Sequence, residues 1–416
     1  MTPEQVARRR AVEALRSGVP SWDAVRALGT GQPAAEDRFG ATLDEAERGA
    51  GRGLLLGAGF GAGKSHLLTH LAQLALERGF AVSTVVVSKE TPLHDPAKVL
   101  RAAVESLRGE ARVSGALPDA AAALDPDTPR YVELTRWLHS PSVPVDERFA
   151  ATLLLHERLR GGEVPDSAEI VEQVLRFWTG DPLRIADVKR ALKAVGAAGM
   201  YSFGPVPARE LARQRLRFLP RLLRAAGYAG WVVLFDEVEL IGRYSLLQRG
   251  RSYAELARWV GGDPDDPSAP LAAVLAMTDD FDAAVLTGKD DRTKVPARLR
   301  DKQTPEWAEL AQRAEAGMRL VERDLLLLEA PDAAELDRAY AVLKQLHGSA
   351  YDWEPPDVPG LERLGATRMR QYVRAWINAW DLVRLDPEHR PEPQIVELSA
   401  SYAEDAALEQ EVGGQE

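Results

Sequence analysis

The residues Gly57-Ala58-Gly59-Phe60-Gly61-Ala62-Gly63-Lys64-Ser65 set alternate glycines ahead of a lysine and a hydroxyl, a pattern suited to holding a polyphosphate. Glycines let a backbone turn its N–H groups inward around β- and γ-phosphates, and a helix starting there adds its positive dipole end. Lys64 would neutralise the β- and γ-phosphate charge, and the Ser65 hydroxyl is a hard oxygen ligand suited to Mg²⁺. Against the pattern GxxxxGK[ST], Ala58 stands where the first glycine belongs, and Gly57 lies one position early. The nucleotide-binding segment therefore reads as Gly57, Gly59, Phe60, Gly61, Ala62, Gly63, Lys64 and Ser65, with His66 following just inside the helix.

A second group of residues fits the first. The apolar run Trp231-Val232-Val233-Leu234-Phe235 ends in Asp236-Glu237. Beside a phosphate loop, Asp236 would join Ser65 in holding Mg²⁺, and Glu237 would polarise the water that attacks the γ-phosphate. Acids at strand ends are common, so this pair takes its meaning from the loop upstream. The run that ends Met277-Thr278-Asp279-Asp280 offers Thr278 as a γ-phosphate sensor, with Asp279 or a plain strand-ending turn as the alternatives. Charge building on the γ-phosphate needs a cation. Of Arg368, Arg370 and Arg374 on a late helix, Arg370 is the candidate. Arg298, Arg300 and Arg323 stand near the last strand, either as a finger reaching a neighbouring subunit or as solvated surface arginines. A further basic stretch, Arg209 to Arg224, sets arginines at 209, 213, 215, 217, 221 and 224 against Glu210 alone. It reads either as a contact for nucleic acid or an acidic partner, or as a crossover helix with a solvated face. Only Phe218 is available there for base stacking.

The elements that must position these residues follow from periodicity. Leu54 to Leu56, Val82 to Val87, Trp231 to Phe235, Ala272 to Met277 and Leu325 to Leu328 are nearly all apolar without alternation, as strands buried on both faces are. Helical patterns fill the gaps, which predicts an α/β fold: a doubly wound, parallel, five-stranded sheet with right-handed crossovers. Residues 1–30 read as two short helices, joined by a Gly29 to Ala35 link to a core over 31–330. The stretch from Asp95 to Gly230 far exceeds one crossover, so a helical insertion on the sheet edge is expected over about 95–225. Asp332 with Glu335 caps a helix running to about Ala350, and a second helix, Thr367 to Val383, follows Pro355 to Pro359. Together these predict a helical lid over 331–390, before an acidic, frayed tail over 391–416.

Composition narrows the chemistry. With 52 basic and 63 acidic residues the net charge is −11, against a nucleic-acid footprint over the whole surface. The chain has no cysteine, which removes disulfides, thiolate metal sites and cysteine nucleophiles. No pair among its seven histidines has zinc-ligand spacing with a supporting acid, and there is no Gly-x-Ser-x-Gly elbow. Neither a signal peptide nor an apolar run near the roughly 18 residues of a membrane span is visible, so a cytoplasmic protein is expected.

Several stretches together resemble the ATP-binding proteins of BREX-type phage-exclusion systems, the BrxC/BrxD-like ATPases. These are Ala14-Leu15-Arg16-Ser17-Gly18-Val19-Pro20, Ala24 to Gly29, Gly61 to Leu68 with its histidine after the loop serine, and Phe235-Asp236-Glu237-Val238-Glu239. The resemblance extends through Leu336 to Tyr351 and Arg370-Gln371-Tyr372-Val373-Arg374, and the length is most like the short BrxD-like branch. It implies an AAA+ core binding ATP and Mg²⁺, a homo-oligomer that includes ring or partial-ring forms, and a role against phage DNA beside helicases or modification enzymes. Ala58 and Thr278-Asp279-Asp280, where relatives are expected to carry Thr followed by Pro, depart from its pattern. Two functions stay open: an ATP-hydrolysing remodeller acting on DNA or a DNA-bound complex, and a nucleotide-gated switch that assembles protein partners and hydrolyses slowly. A small-molecule phosphotransferase is the third, but it does not account for the glutamate after the acid-strand aspartate.

Overall fold

The computed structural model describes residues 2–109, 115–141, 143, 145–160, 167–358 and 369–388. Arg368 and the predicted acidic tail lie outside the described residues. Five strands, β1 (Gly53–Gly57), β2 (Ala81–Val86), β3 (Trp231–Asp236), β4 (Leu271–Met277) and β5 (Leu325–Leu327), form one all-parallel sheet in the order β2-β3-β4-β1-β5. Each matches a run anticipated from its apolar character. The period of two sorts their side chains: Leu55, Val233, Phe235 and Leu275 enter one core, while Leu54, Leu56, Val232, Leu234 and Val274 enter the other. Both faces are buried, which is why the sequence shows no alternation.

The helices in chain order are α1 (Pro3–Ser17), α2 (Trp22–Leu28), α3 (Pro33–Glu47), α4 (Lys64–Glu77), α5 (Pro96–Glu105), α6 (Ala116–Ala122), α7 (Pro129–Leu138) and α8 (Glu147–Leu159). They continue as α9 (Ser167–Thr179), α10 (Ile185–Ala194), α11 (Ala208–Ala225), α12 (Leu246–Gly261), α13 (Asp291–Arg300), α14 (Pro305–Asp324), α15 (Ala333–Tyr351) and α16 (Met369–Leu385). Sequence reading passes over α3, treating its start as linker. Its Phe39, Leu43 and Ala46, at helical spacing, pack with Leu71 and Ala75 of α4 on one sheet face.

Helices α5 to α11 occupy the long stretch between the adjacent strands β2 and β3. Of these, α5 and α11 pack against the sheet, and the rest build an aromatic core in which Phe149, Phe177, Trp178 and Phe218 lie 5.1–5.5 Å apart. The basic helix α11 corrects the expectation placed on it. Arg215, Arg217 and Arg221 are buried, not solvated. Arg215 donates to the carbonyls of Phe177 (2.6 Å) and Asp181 (2.9 Å). Arg217 pairs with Asp263 and Asp265 at 2.7 Å each, Arg213 with Glu255 at 2.6 Å, and Arg221 grips both oxygens of Asp266 while stacking over Trp137. The partners come from α12 and the loop after it, far along the chain, so the sequence displays the basic charge without the acids that answer it. With these three arginines buried the helix is an internal strut, while Arg209, Arg213 and Arg224 stay half-buried.

The first two helices meet the last two described ones. Leu15 of α1, Leu28 of α2, Leu343 of α15 and Trp376 and Trp380 of α16 share one cluster apart from the sheet cores. Its helices are capped locally: Thr2 and Gln5 form a capping box, Ser21 caps α2, and Asp332 accepts the Glu335 N–H at 2.7 Å as anticipated. Among the described residues no helix is long and apolar enough to cross a membrane.

Removing one member of a buried, bidentate ion pair strands the other, at a cost of about 3–5 kcal/mol. Asp266→Ala should therefore lower the urea midpoint sharply, read by circular dichroism. Burial also pushes the His94 and His156 imidazoles down to about 4. Above pH 6.5 both are neutral folded or unfolded; below it the unfolded chain protonates first, so stability should fall as pH drops from 6.5 toward 4. Replacing His156 with Gln should flatten that fall in urea titrations taken across the window.

Candidate functional site

The strand order decides which residues meet. Because β4 lies between β1 and β3, the loop leaving β1 and the acids ending β3 flank the end of β4. There the Ser65 hydroxyl donates to Asp236 Oδ2 at 2.5 Å. The other oxygen, Oδ1, accepts the Glu237 N–H at 2.9 Å. Thr278 is buried just beyond β4, whereas Asp279 and Asp280 are exposed and the backbone there turns into the next helical segment.

The loop turns at Gly61 (φ 80°) and Gly63 (φ 103°), where left-handed backbone favours glycine. Ala58 needs no such freedom: it is buried, bonds its N–H to the Met277 carbonyl, and gives its own carbonyl to Lys64 Nζ at 2.9 Å. Gly57 is the last residue of β1, and a Cβ there would come within 2.8 Å of Leu325 on β5. Its glycine thus answers to strand packing, and the departure at Ala58 leaves the turn intact.

Lys64 is only 8% exposed. Its ammonium faces the Ala58 and Gly59 carbonyls and lies 3.8 Å from Glu239 Oε1. Glu237 adopts a left-handed backbone (φ 59°), a strained setting for a non-glycine residue. Desolvation and the neighbouring Asp236 raise its pKa, while Lys64 and Arg370 pull it back. Arg370, at the start of α16, lies over the Phe60 ring at 5.9 Å and against Gly18. Arg374 on the same helix is exposed. Arg298 is exposed, Arg300 binds Glu315 at 2.9 Å, and Arg323 is exposed beside Asp324; none stands at this site.

A cleft of about 890 Å³ opens beside the loop, between it and the helices from both chain ends, with Ala62, Ser65, His66, Thr30, Arg338 and Arg370 among its walls. His66 reaches across to the Gly29 carbonyl at 2.8 Å, and burial lowers its pKa, so the neutral ring makes this bond. The Gln32 amide exchanges two hydrogen bonds with the backbone of Glu329, and Arg338 Nη1 donates to the Leu28 carbonyl. The 29–32 link is in this way a fixed wall of the cleft.

Ser65 and Asp236 offer hard oxygens. Among the described residues no group of three or more His, Cys, Asp and Glu side chains gathers elsewhere to hold a metal. A hydroxyl and one carboxylate fit Mg²⁺ that takes its other ligands from phosphate and water. Glu239 stands in the Phe235–Glu239 stretch that carries the resemblance, but sequence reading did not single it out as a site residue. The signal was a second acid three residues after Asp236, on the buried face of the 3₁₀ helix Val238–Arg243.

The family of BREX system ATP-binding proteins BrxC/D matches residues 4–121 and 158–309. The chain belongs to the BrxC/D family. The matched stretches hold α1 to α4, the glycine-rich Gly57–Ser65 loop, the Asp236-Glu237 pair and Thr278, while α15 and α16 with Arg370 lie beyond them. No curated protein and no solved structure matches the chain.

The geometry separates two glycine roles. Ala58→Gly should leave nucleotide affinity within about twofold, since no left-handed turn falls there, whereas Gly63→Ala forces a Cβ into left-handed backbone at about 1–2 kcal/mol. Nucleotide titration and melting of both variants, side by side, check this.

Proposed function

We propose that the chain is an AAA+ type P-loop ATPase that binds ATP with Mg²⁺ in the cleft beside Gly59–His66 and hydrolyses it. The observation that carries this reading is the Ser65–Asp236 hydrogen bond with Lys64 alongside. Residues remote in sequence converge at a glycine-turned helix N-terminus, where phosphate charge is best received. Membership of a family described as BREX system ATP-binding proteins supports ATP as the ligand and phage defence as the setting.

In this reading Lys64 and the loop N–H groups hold the β- and γ-phosphates, and Ser65 and Asp236 hold Mg²⁺. The metal supplies charge neutralisation on the phosphate oxygens. Glu237 orients a water and accepts its proton as the water oxygen bonds to the γ-phosphorus and the bond to the ADP oxygen breaks. Its raised pKa makes it a stronger proton acceptor than an ordinary carboxylate. Thr278 senses the γ-phosphate from the strand between loop and acid, and Arg370 answers charge from the lid. The adenosine end would lie against the 29–32 wall, so occupancy bears on α1, α2, α15 and α16 together. We read that coupling as the link to assembly of copies and to work on a DNA-bound complex. The buried arginines of α11 leave direct DNA reading by that helix out of the proposal.

The coupled chain ends also favour a second reading, a switch that assembles protein partners and turns over slowly. Hydrolysis measured with and without duplex DNA, beside light scattering with and without ATP, distinguishes them: assembly on ATP with slow, DNA-insensitive turnover supports the switch. For either reading, Glu237→Gln should keep ATP binding and lose about 10²-fold or more in turnover. Lys64→Ala should lose binding itself. Wild-type turnover in Glu237→Gln would remove Glu237 from the reaction.

A further inference from the structure

Two buried ion pairs elsewhere in this protein are short and shared over both carboxylate oxygens. Arg249 holds Asp291 at 2.8 and 2.9 Å, with Tyr253 adding a third bond, and Arg221 holds Asp266 through two. Glu239 is built differently. It is 5% exposed, its Oε1 stands 3.8 Å from Lys64 Nζ, and its Oε2 is buried without a hydrogen-bond partner. A carboxylate held this loosely adds little as a strut, because its desolvation is barely offset. Its place is more telling than its strength. It puts a negative charge beside the lysine that a phosphate needs.

We propose that Glu239 is a positioning residue that competes with the phosphates of ATP for the Lys64 ammonium, holding the lysine toward the loop's own carbonyls until nucleotide draws it out. This rests on the reading of the cleft as the ATP site. The ammonium has three donors, and each now faces protein: Ala58 O, Gly59 O and Glu239. ATP must displace that arrangement. When Lys64 turns to the phosphates, Glu239 keeps its burial and loses its counter-charge, so it is driven to take up a proton. Burial already pushes its carboxyl up to about 7, with Lys64 opposing and Glu237 and Asp236 reinforcing. Those groups, on α4 and at the β3 end, are the charges that face it. Ionised above pH 7, Glu239 competes with phosphate; protonated below, it does not.

The test is a titration of MgATP into full-length wild type and Glu239→Gln at pH 7.0 and 8.5, with ADP in parallel. Glu239→Gln should bind ATP about three- to tenfold more tightly than wild type at pH 8.5, more so for ATP than for ADP. Wild-type affinity should fall as pH rises from 7.0, and that slope should flatten in the variant. Glu239→Asp, which keeps the charge on a shorter arm, should bind ATP with intermediate affinity and decides the matter if the Gln variant does not fold. Unchanged or weaker ATP binding in a folded variant, or an undiminished pH slope, overturns the inference while leaving the ATP site standing. Failure of wild type to bind ATP at all overturns both.

Discussion

The site depends on one contact across one strand. Ser65, at the start of α4, reaches Asp236, at the end of β3, over the end of β4. That is possible only because β4 lies between β1 and β3, so that a loop and an acid pair separated by most of the insertion become near neighbours. The insertion does not disturb this. It departs after β2 and returns at β3, two strands already side by side, and packs its aromatic side chains into the core that covers one face of the sheet. Its basic strut, α11, is pinned by acids from α12 and the loop after it, the connection between β3 and β4, which ties the added helices to the strands that carry Asp236 and Thr278.

The second constraint is charge in a confined space. Asp236, Glu237 and Glu239 crowd together with Lys64, and Arg370 stands at the edge. Burial first, and the neighbouring carboxylates after it, raise the pKa of Glu237 and Glu239, with Lys64 opposing in both. Around it the walls are made by opposite ends of the chain. His66 binds the Gly29 carbonyl, Gln32 the backbone beyond β5, and Arg338 the end of α2. The walls of the cleft thus draw on α1, α2, α15 and α16 at once.

Much of this was legible in the sequence, for reasons that can be named. Strands buried on both faces announce themselves as unbroken apolar runs, and Gly59 to Ser65 has a spacing that few other structures would require. The Asp332 cap was legible because capping is local. The failures share one cause: a residue's type is visible, but its distant partner is not. Arg217 and Arg221 looked like surface charge until Asp263, Asp265 and Asp266 met them. Gly57 is visible as a glycine, but the Leu325 side chain that would meet a Cβ there is not. Glu239 is one acid among 63 charged to carry meaning only where Lys64 lies beside it. Helix α3 was hidden by its Gln32-Pro33 start, which reads as linker although proline is well placed in a first helical turn.

The central claim is that nucleotide joins the loop to the helices from both chain ends. Hydrogen exchange on the full chain, with and without MgATP in Glu237→Gln to hold the bound state, tests it most directly. The account predicts slowed exchange over Gly59–Thr69 together with α2, the start of α15 and α16. Protection confined to the phosphate loop, with the terminal helices exchanging as before, would contradict it.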